Sequence, residues 1–392
     1  MPTDQTPGVY IEEIESGSRP IEGVATSIAV FIGETETGSE YENIPTLVTS
    51  SEELITKFGY YSDTAPYMAP AVLSFFLNGG SNAFIVKTPD STDASIIGSN
   101  NETGLGTGLT SLVDIDQITI VAAPGITTPL VIEALIAHCE LLKDRIAILD
   151  AAESTASVMD FIDIDTGYIN DIVSVNGFAA LYTPWYKTAV EYIDTADNDT
   201  LKTKEIFIPP SGAMAGIYAR NDSERGVHKA PANMQVRGAL ELKVNYNGSE
   251  QELLNPKGVN CIREFPGRGI LVWGARTVAS DPQWKYVSVR RLHIFLEVSI
   301  YESTKWVVFE ANTQVIWTKV RQSIENFLML QWRNGALQGN SPRNAFYVKC
   351  GRETMTQEDI INGRLVCEIG VATMRPAEFI LFRISQRTSI ST

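Results

Sequence analysis

The chain is poor in the residues that build small stapled or metal-bound domains. Its 392 residues include four cysteines and three histidines. Cys139, Cys261, Cys350 and Cys367 form no CxxC pair, so a disulfide framework or structural zinc site is not expected, and four buried, reduced thiols are. No run approaches the ~18 to 20 apolar residues that cross a bilayer, and MPTDQTPGVYIEEIE lacks the basic start and apolar stretch of a secretion signal. Cationic excess is also missing. With 31 basic against 47 acidic side chains and a formal charge of -16, the chain is a poor candidate for nucleic-acid binding, which relies on Lys and Arg to neutralise phosphates.

What is present is a foldable composition, 44% hydrophobic, with the charge unevenly divided. Residues 1–220 carry 9 basic and 31 acidic side chains, net -22, whereas residues 221–392 carry 22 and 16, net +6. The two halves therefore face different surroundings, the basic one suited to an acidic partner or to acidic parts of neighbouring copies.

Apolar runs alternate with helical periodicity. VATSIAVFIG (24–33), AFIVKT (83–88), QITIVAAPG (117–125), IAILDAA (146–152) and VNGFAALYTPWYK (175–187) read as buried strands. Between them SSEELITKFG (50–59), APYMAPAVLSFFLNGG (65–80) and PLVIEALIAHCELLKDR (129–145) read as helices, giving a mixed α/β fold. Residues 88–111 are polar and read as a surface loop, and SGAMAG (211–216) opens a small-residue helix able to pack closely. Amphipathic helices are expected over 286–309 and 313–337, and strands over 345–350, 364–373 and 378–385.

No constellation makes a catalytic centre. TGLGTG (103–108) lacks the Lys-Ser/Thr of a phosphate loop, and AAPG (122–125) offers one glycine and no ribose-binding acid. Ser211 has no base nearby in sequence, His138, His228 and His293 lack ligand spacing, and the aspartates of DFIDIDTG (160–167) lack the closing glutamate of a calcium loop. No cofactor is expected. The unusual features are two strand-forming ends, 7–14 and 378–385, outside the α/β units. An isolated strand is marginal in water, so each end pairs either within the chain or with the sheet of another copy.

The strings PGVYIEEIESGSRPIEGVATSIAVFIG (7–33), NGGSNAFIVK (78–87), PPSGAMAGIYARNDSERGVHKAPAN (209–233), 254–312 and GRLVCEIGVATMRPAEFILFRISQ (363–386) resemble contractile tail sheath proteins of bacteriophages and phage-tail-like injection particles. The resemblance implies an inner core built from both chain ends, an inserted α/β domain and extended terminal β-arms. It divides the chain into an N-terminal arm (1–25), an outer domain (26–205), an inner core (206–376) and a C-terminal arm (377–392).

On this reading Val9, Tyr10, Ile11, Glu12 and Ile14, with Phe379, Ile380, Leu381, Phe382, Arg383 and Ile384, link subunits. Ser16, Gly17 and Pro20 form a hinge, and Lys319, Arg321 and Arg333 are candidates for gripping an inner tube; an ordinary solvated helix face is the plain alternative for these three. The implied function is structural and not enzymatic: a helical homopolymer around an inner tube protein, bounded by baseplate and terminal cap proteins, that contracts to drive the tube through an envelope. Assembly in the bacterial cytoplasm as part of a phage tail or injection particle is expected, without nucleic acid or membrane insertion. A static shell or surface-layer protein, and more remotely an α/β enzyme, are the competing readings.

Overall fold

The computed structural model describes residues 19–100, 106–155, 157–163, 167–170, 172–194, 196–197 and 199–379. The described residues form two compact units, one within 24–297 together with 373–379, the other of 19–23 with 298–372.

The larger unit is built on alternating strands and helices. Strand β1 (Ala29–Gly33) is followed by β2 (Thr46–Val48), helices α1 (Ser51–Phe58) and α2 (Met68–Asn78), strand β3 (Ala83–Lys87) and helix α3 (Asp93–Ile97). Next come β4 (Ile120–Ala122), α4 (Pro129–Leu142), β5 (Ile146–Asp150), α5 (Val158–Ile162) and β6 (Ala179–Thr183). A long hairpin of β7 (Tyr186–Asp194) and β8 (Thr200–Ile208) leads into α6 (Ser211–Arg225). The rest of the unit contains β9 (Met234–Gln235), β10 (Glu241–Leu242), α7 (Gly248–Leu254), β11 (Val259–Phe265) and β12 (Gly269–Val272).

Nine strands form one sheet in the order β2-β3-β1-β4-β5-β6-β11-β12-β9, and β10-β7-β8 form a second. The six strands from β3 to β11 are parallel. Their continuous Val, Ile and Ala runs fit that place, because a parallel strand is covered on both faces; β1, β5 and β6 are buried along their whole length. The pairing of β6 with β11 joins residues from both sides of the expected boundary at 205, so the sheet runs through that position and the compact units divide elsewhere.

Helix α1 begins where the sequence places it. The Ser50 hydroxyl accepts from the Glu53 amide, Glu52 and Glu53 face the positive end of the helix, and Gly59 closes it at φ +82°. The segment 88–111, expected to be loop, instead contains α3, capped by Thr92, and a short 3-10 turn over Gly108–Leu112. Ile96, Leu109 and Leu112 are buried, and these few apolar residues anchor an otherwise polar stretch. Sequence reading also missed most of the β7–β8 hairpin, whose nine-residue strands pair in register from Tyr186–Ile208 to Asp194–Thr200.

Helices α2 and α6 pack backbone against backbone. A Cβ on Gly212 would overlap the Ala71 carbonyl, and one on Gly216 the Phe75 carbonyl. The small residues of SGAMAG are therefore spent on close approach. Around this seam Phe31, Phe75, Tyr182, Met214 and Tyr218 form the core, with the Tyr182 and Tyr218 hydroxyls hydrogen-bonded at 2.8 Å.

Helix α8 (Val287–Thr304) carries the chain from the larger unit into the smaller. There follow α9 (Gln314–Arg333), α10 (Pro342–Ala345), β13 (Phe346–Cys350), α11 (Gln357–Ile361) and β14 (Cys367–Val371). Strands β13 and β14 pair antiparallel as a two-stranded sheet, with Cys350 opposite Cys367 and joined to it by a disulfide. This corrects the expectation of four reduced thiols: the hairpin brings together cysteines whose spacing in sequence carries no signal. Cys139 and Cys261 are free and buried, burial pushing the Cys261 thiol up to about 12. Alkylation of the oxidised, denatured chain should therefore modify two cysteines, with all four reacting after reduction; four reactive thiols without reductant would contradict the bridge.

Candidate assembly site

Two of the motifs weighed in the sequence, AAPG and Ser211, are tied together through one carboxylate. Asp150, at the end of β5, accepts from the Ser211 amide and hydroxyl, both at 2.7 Å, and from the Gly125 amide at 3.1 Å. One carboxylate thus holds the AAPG turn, β5 and the N-terminus of α6, where a negative charge is favoured by the helix dipole. Burial raises its pKa to about 6 against these hydrogen bonds, which pull it down. The Tyr67 ring lies against Gly125. Among the described residues no group of three His, Cys, Asp or Glu side chains could hold a metal, and no helix is long and apolar enough to cross a membrane.

His138 and His293 are both held down to about 4, by burial first and then by the charges of Arg145 and Arg290 respectively. Each is neutral when folded yet protonates in the unfolded chain below about 6.5. Their contribution to stability is therefore present above pH 6.5 and is lost as pH falls toward 4, at up to ~3 kcal/mol each. Asp150 acts oppositely: with its pKa raised from 3.8 to about 6, its favourable contribution is present below 3.8 and is lost as pH rises through 6. Melting temperature should fall from pH 7 to 4.5 in the native chain and fall less in His293→Gln. Parallel pH profiles would remove His293 as a cause.

Two buried arginines tie segments near the limits of the described residues. Arg291 of α8 donates to both Asp222 carboxylate oxygens at 2.8 and 2.6 Å and to the Thr26 carbonyl at 2.7 Å, while the Thr26 hydroxyl donates to the same carboxylate. This fixes the chain where it enters β1. Near the other end, Arg276 makes a two-pronged pair with Glu378. In the smaller unit, residues 19–22 lie against residues 303–306: the Arg19 guanidinium stacks 5.1 Å from the Trp306 ring centre, Ile21 is buried, and the Glu22 amide donates to Ser303. Pro20 is exposed between Arg19 and Ile21.

Of the expected linking residues, Val9, Tyr10, Ile11, Glu12, Ile14, Ile380, Leu381, Phe382, Arg383 and Ile384 lie outside the described residues, as do Ser16 and Gly17 of the hinge. Phe379 is described and is 82% exposed. Lys319, Arg321 and Arg333 all lie on α9 but do not share one face. At 100° per residue Lys319 and Arg333 fall about 40° apart, whereas Arg321 lies about 160° from Lys319 and is 3.9 Å from Glu325. Val315 and Leu330, 64% and 53% exposed, accompany Lys319 and Arg333. Sequence reasoning passed over them, although both are apolar residues lying off the main buried stripe of the helix.

The parallel sheet, the helices packed on it and the ties at Asp150, Arg276 and Arg291 define a mixed α/β protein. Comparisons with known proteins give the family. The phage tail sheath protein central domain matches residues 108–278 and the phage tail sheath C-terminal domain residues 279–387. The sheath of the PVC extracellular contractile injection system, in its contracted state, is 31% identical; the alignment covers 97% of this chain and 98% of that one, with a TM-score of 0.79. The contracted helical sheath of the anti-feeding prophage is 31% identical over 97% and 99% of the two chains, with a TM-score of 0.75. A putative prophage major tail sheath protein of Pseudomonas aeruginosa is 24% identical over 96% of this chain and 95% of its own. The chain belongs to the contractile tail sheath protein family.

Proposed function

We propose that many copies of the chain polymerise helically around an inner tube, and that this sheath shortens to drive the tube through a target envelope. The observation that carries the proposal is full-length similarity, at 31% identity, to the sheath of a contractile injection system. On this reading the chain is structural and not enzymatic, its energy stored in the extended assembly and released as subunits repack. It is assembled in the bacterial cytoplasm and meets baseplate and terminal cap proteins at the two ends of the polymer.

Neighbouring subunits are joined by their terminal strands. Among the described residues β13 and β14 pair only with each other, leaving two open edges for added strands. The acidic amino-terminal part of the larger unit faces solvent and the basic carboxyl part of the chain faces the tube. Lys319 and Arg333, with Val315 and Leu330 beside them, provide the tube-facing side of α9. The double variant Lys319→Glu/Arg333→Glu should reduce co-sedimentation with preformed inner tubes at least tenfold while sheath polymers still form. Unchanged tube binding would exclude that face. Arg321→Glu, on the other flank, should have the smaller effect.

A further inference from the structure

Residues 374–379 form neither helix nor strand. Every hydrogen bond they make to other described residues runs through one side chain, Glu378. Arg276 Nε donates to its Oε1 at 2.9 Å and a terminal Arg276 amine donates to Oε2, a planar fork on a carboxylate; the Tyr286 hydroxyl approaches Oε2 at 3.4 Å. The other terminal amine of Arg276 donates to the Asn255 carbonyl at 2.8 Å.

Arg276 is itself a fixture of the sheet. Its backbone amide donates to the Asn260 side chain at 2.7 Å, and the Asn260 amide group returns a bond to the Arg276 carbonyl at 2.7 Å. Asn260 lies within β11 and is fully buried. The Arg276 side chain is 5% exposed and that of Glu378 18%. Removing one member of so buried a pair leaves a charge without its partner, which makes the joint hard to open. One residue farther on, Phe379 is exposed. Beside the joint lies a cavity of about 610 Å³ bordered by Gln251, Trp273 and Phe379, so packing does little to hold this stretch in its place.

We propose that Arg276 is a positioning residue that clasps Glu378 and thereby fixes the point from which the C-terminal arm departs to reach a neighbouring copy. The proposal rests on the arm-linked polymer described above. A free root would let the arm search a larger volume and would lower its effective concentration at the neighbour's sheet.

The test uses the full chain carrying Glu378→Gln, with Arg276→Lys as the conservative variant, because an ammonium cannot make the two-pronged contact. Two readouts are taken: the critical concentration for forming sedimentable polymer, and the mobility of a nitroxide on Ala377→Cys in unassembled protein. The label is directed by burial of Cys139 and Cys261 and by the bridge between the other two cysteines. Both variants should raise the critical concentration about tenfold or more and narrow the spectrum of the label. Wild-type critical concentration, or an unchanged spectrum, in Glu378→Gln overturns the clasp, including when the variant melts at a lower temperature. Deletion of 380–392, which keeps Glu378, separates the two ideas. If the deletion fails to polymerise while Glu378→Gln polymerises normally, the arm stands and the clasp falls; if the deletion polymerises normally, the arm reading itself fails.

Discussion

Deletion of residues 1–15 or of 380–392 should leave a monomer that folds and melts like the intact chain but no longer forms polymer at any accessible concentration. Neither deletion touches the nine-stranded sheet, the α2–α6 seam or the Arg276–Glu378 pair. What is lost is the joint. A strand making ~5 backbone hydrogen bonds at a net ~0.5 to 1.5 kcal/mol each contributes roughly 3 to 7 kcal/mol, or at least two orders of magnitude in affinity. In a lattice each copy is held by several such joints, so their loss compounds. Sedimentation and negative-stain microscopy check the outcome. Tubes from either truncated chain would show that the ends do not link subunits.

The second large effect is on folding. Gly216→Leu should destabilise the larger unit by about 3 kcal/mol or more, enough to send much of the protein into the insoluble fraction. A Cβ there would overlap the Phe75 carbonyl and lie 2.8 Å from the Asn78 Cβ, so α2 and α6 could not keep their separation. Because these helices cover the parallel sheet, the seam cannot widen without opening the core around Met214 and Tyr218. Gly248→Ala is the matched control: nothing lies within 4 Å of its added Cβ, and the change should be neutral or mildly stabilising. Urea unfolding of the two variants compares them directly, and equal midpoints would refute the close-packed seam.

Much of this architecture was legible because its signals are local. The continuous apolar runs around Phe31, Ile85, Ile148 and Leu181 marked buried parallel strands, and Ser50 with Glu52 and Glu53 marked the start of a helix. SGAMAG announced close packing before its partner was known. What was hidden depends on residues far apart in sequence. Arg276 and Glu378 are separated by 102 positions, and Asp222, Arg291 and Thr26 come from three distant segments. No spacing rule joins Cys350 to Cys367 until the hairpin register is known.

The candidate site was read less completely. The sequence singled out α9 for its cations, but only its helical phase separates Arg321 from Lys319 and Arg333 and places Val315 and Leu330 beside the latter two. The β7–β8 hairpin was missed because TLKTKEIFI is polar through Glu205 apart from Leu201 and exposes much of its length, a weaker signal than a buried run. The outer-domain boundary expected at 205 came from the family resemblance. The parallel β6–β11 pairing that crosses it belongs to tertiary structure and leaves no mark in composition.

The central claim is that one chain builds a sheath with two lattice states. Cryo-electron microscopy with helical reconstruction of polymers of the full chain around an inner tube, before and after brief exposure to urea or low pH, tests it most directly. The account predicts a long, narrow lattice that converts to a short, wide one with the same neighbours still joined through their ends. A single lattice of fixed length under all conditions would contradict it.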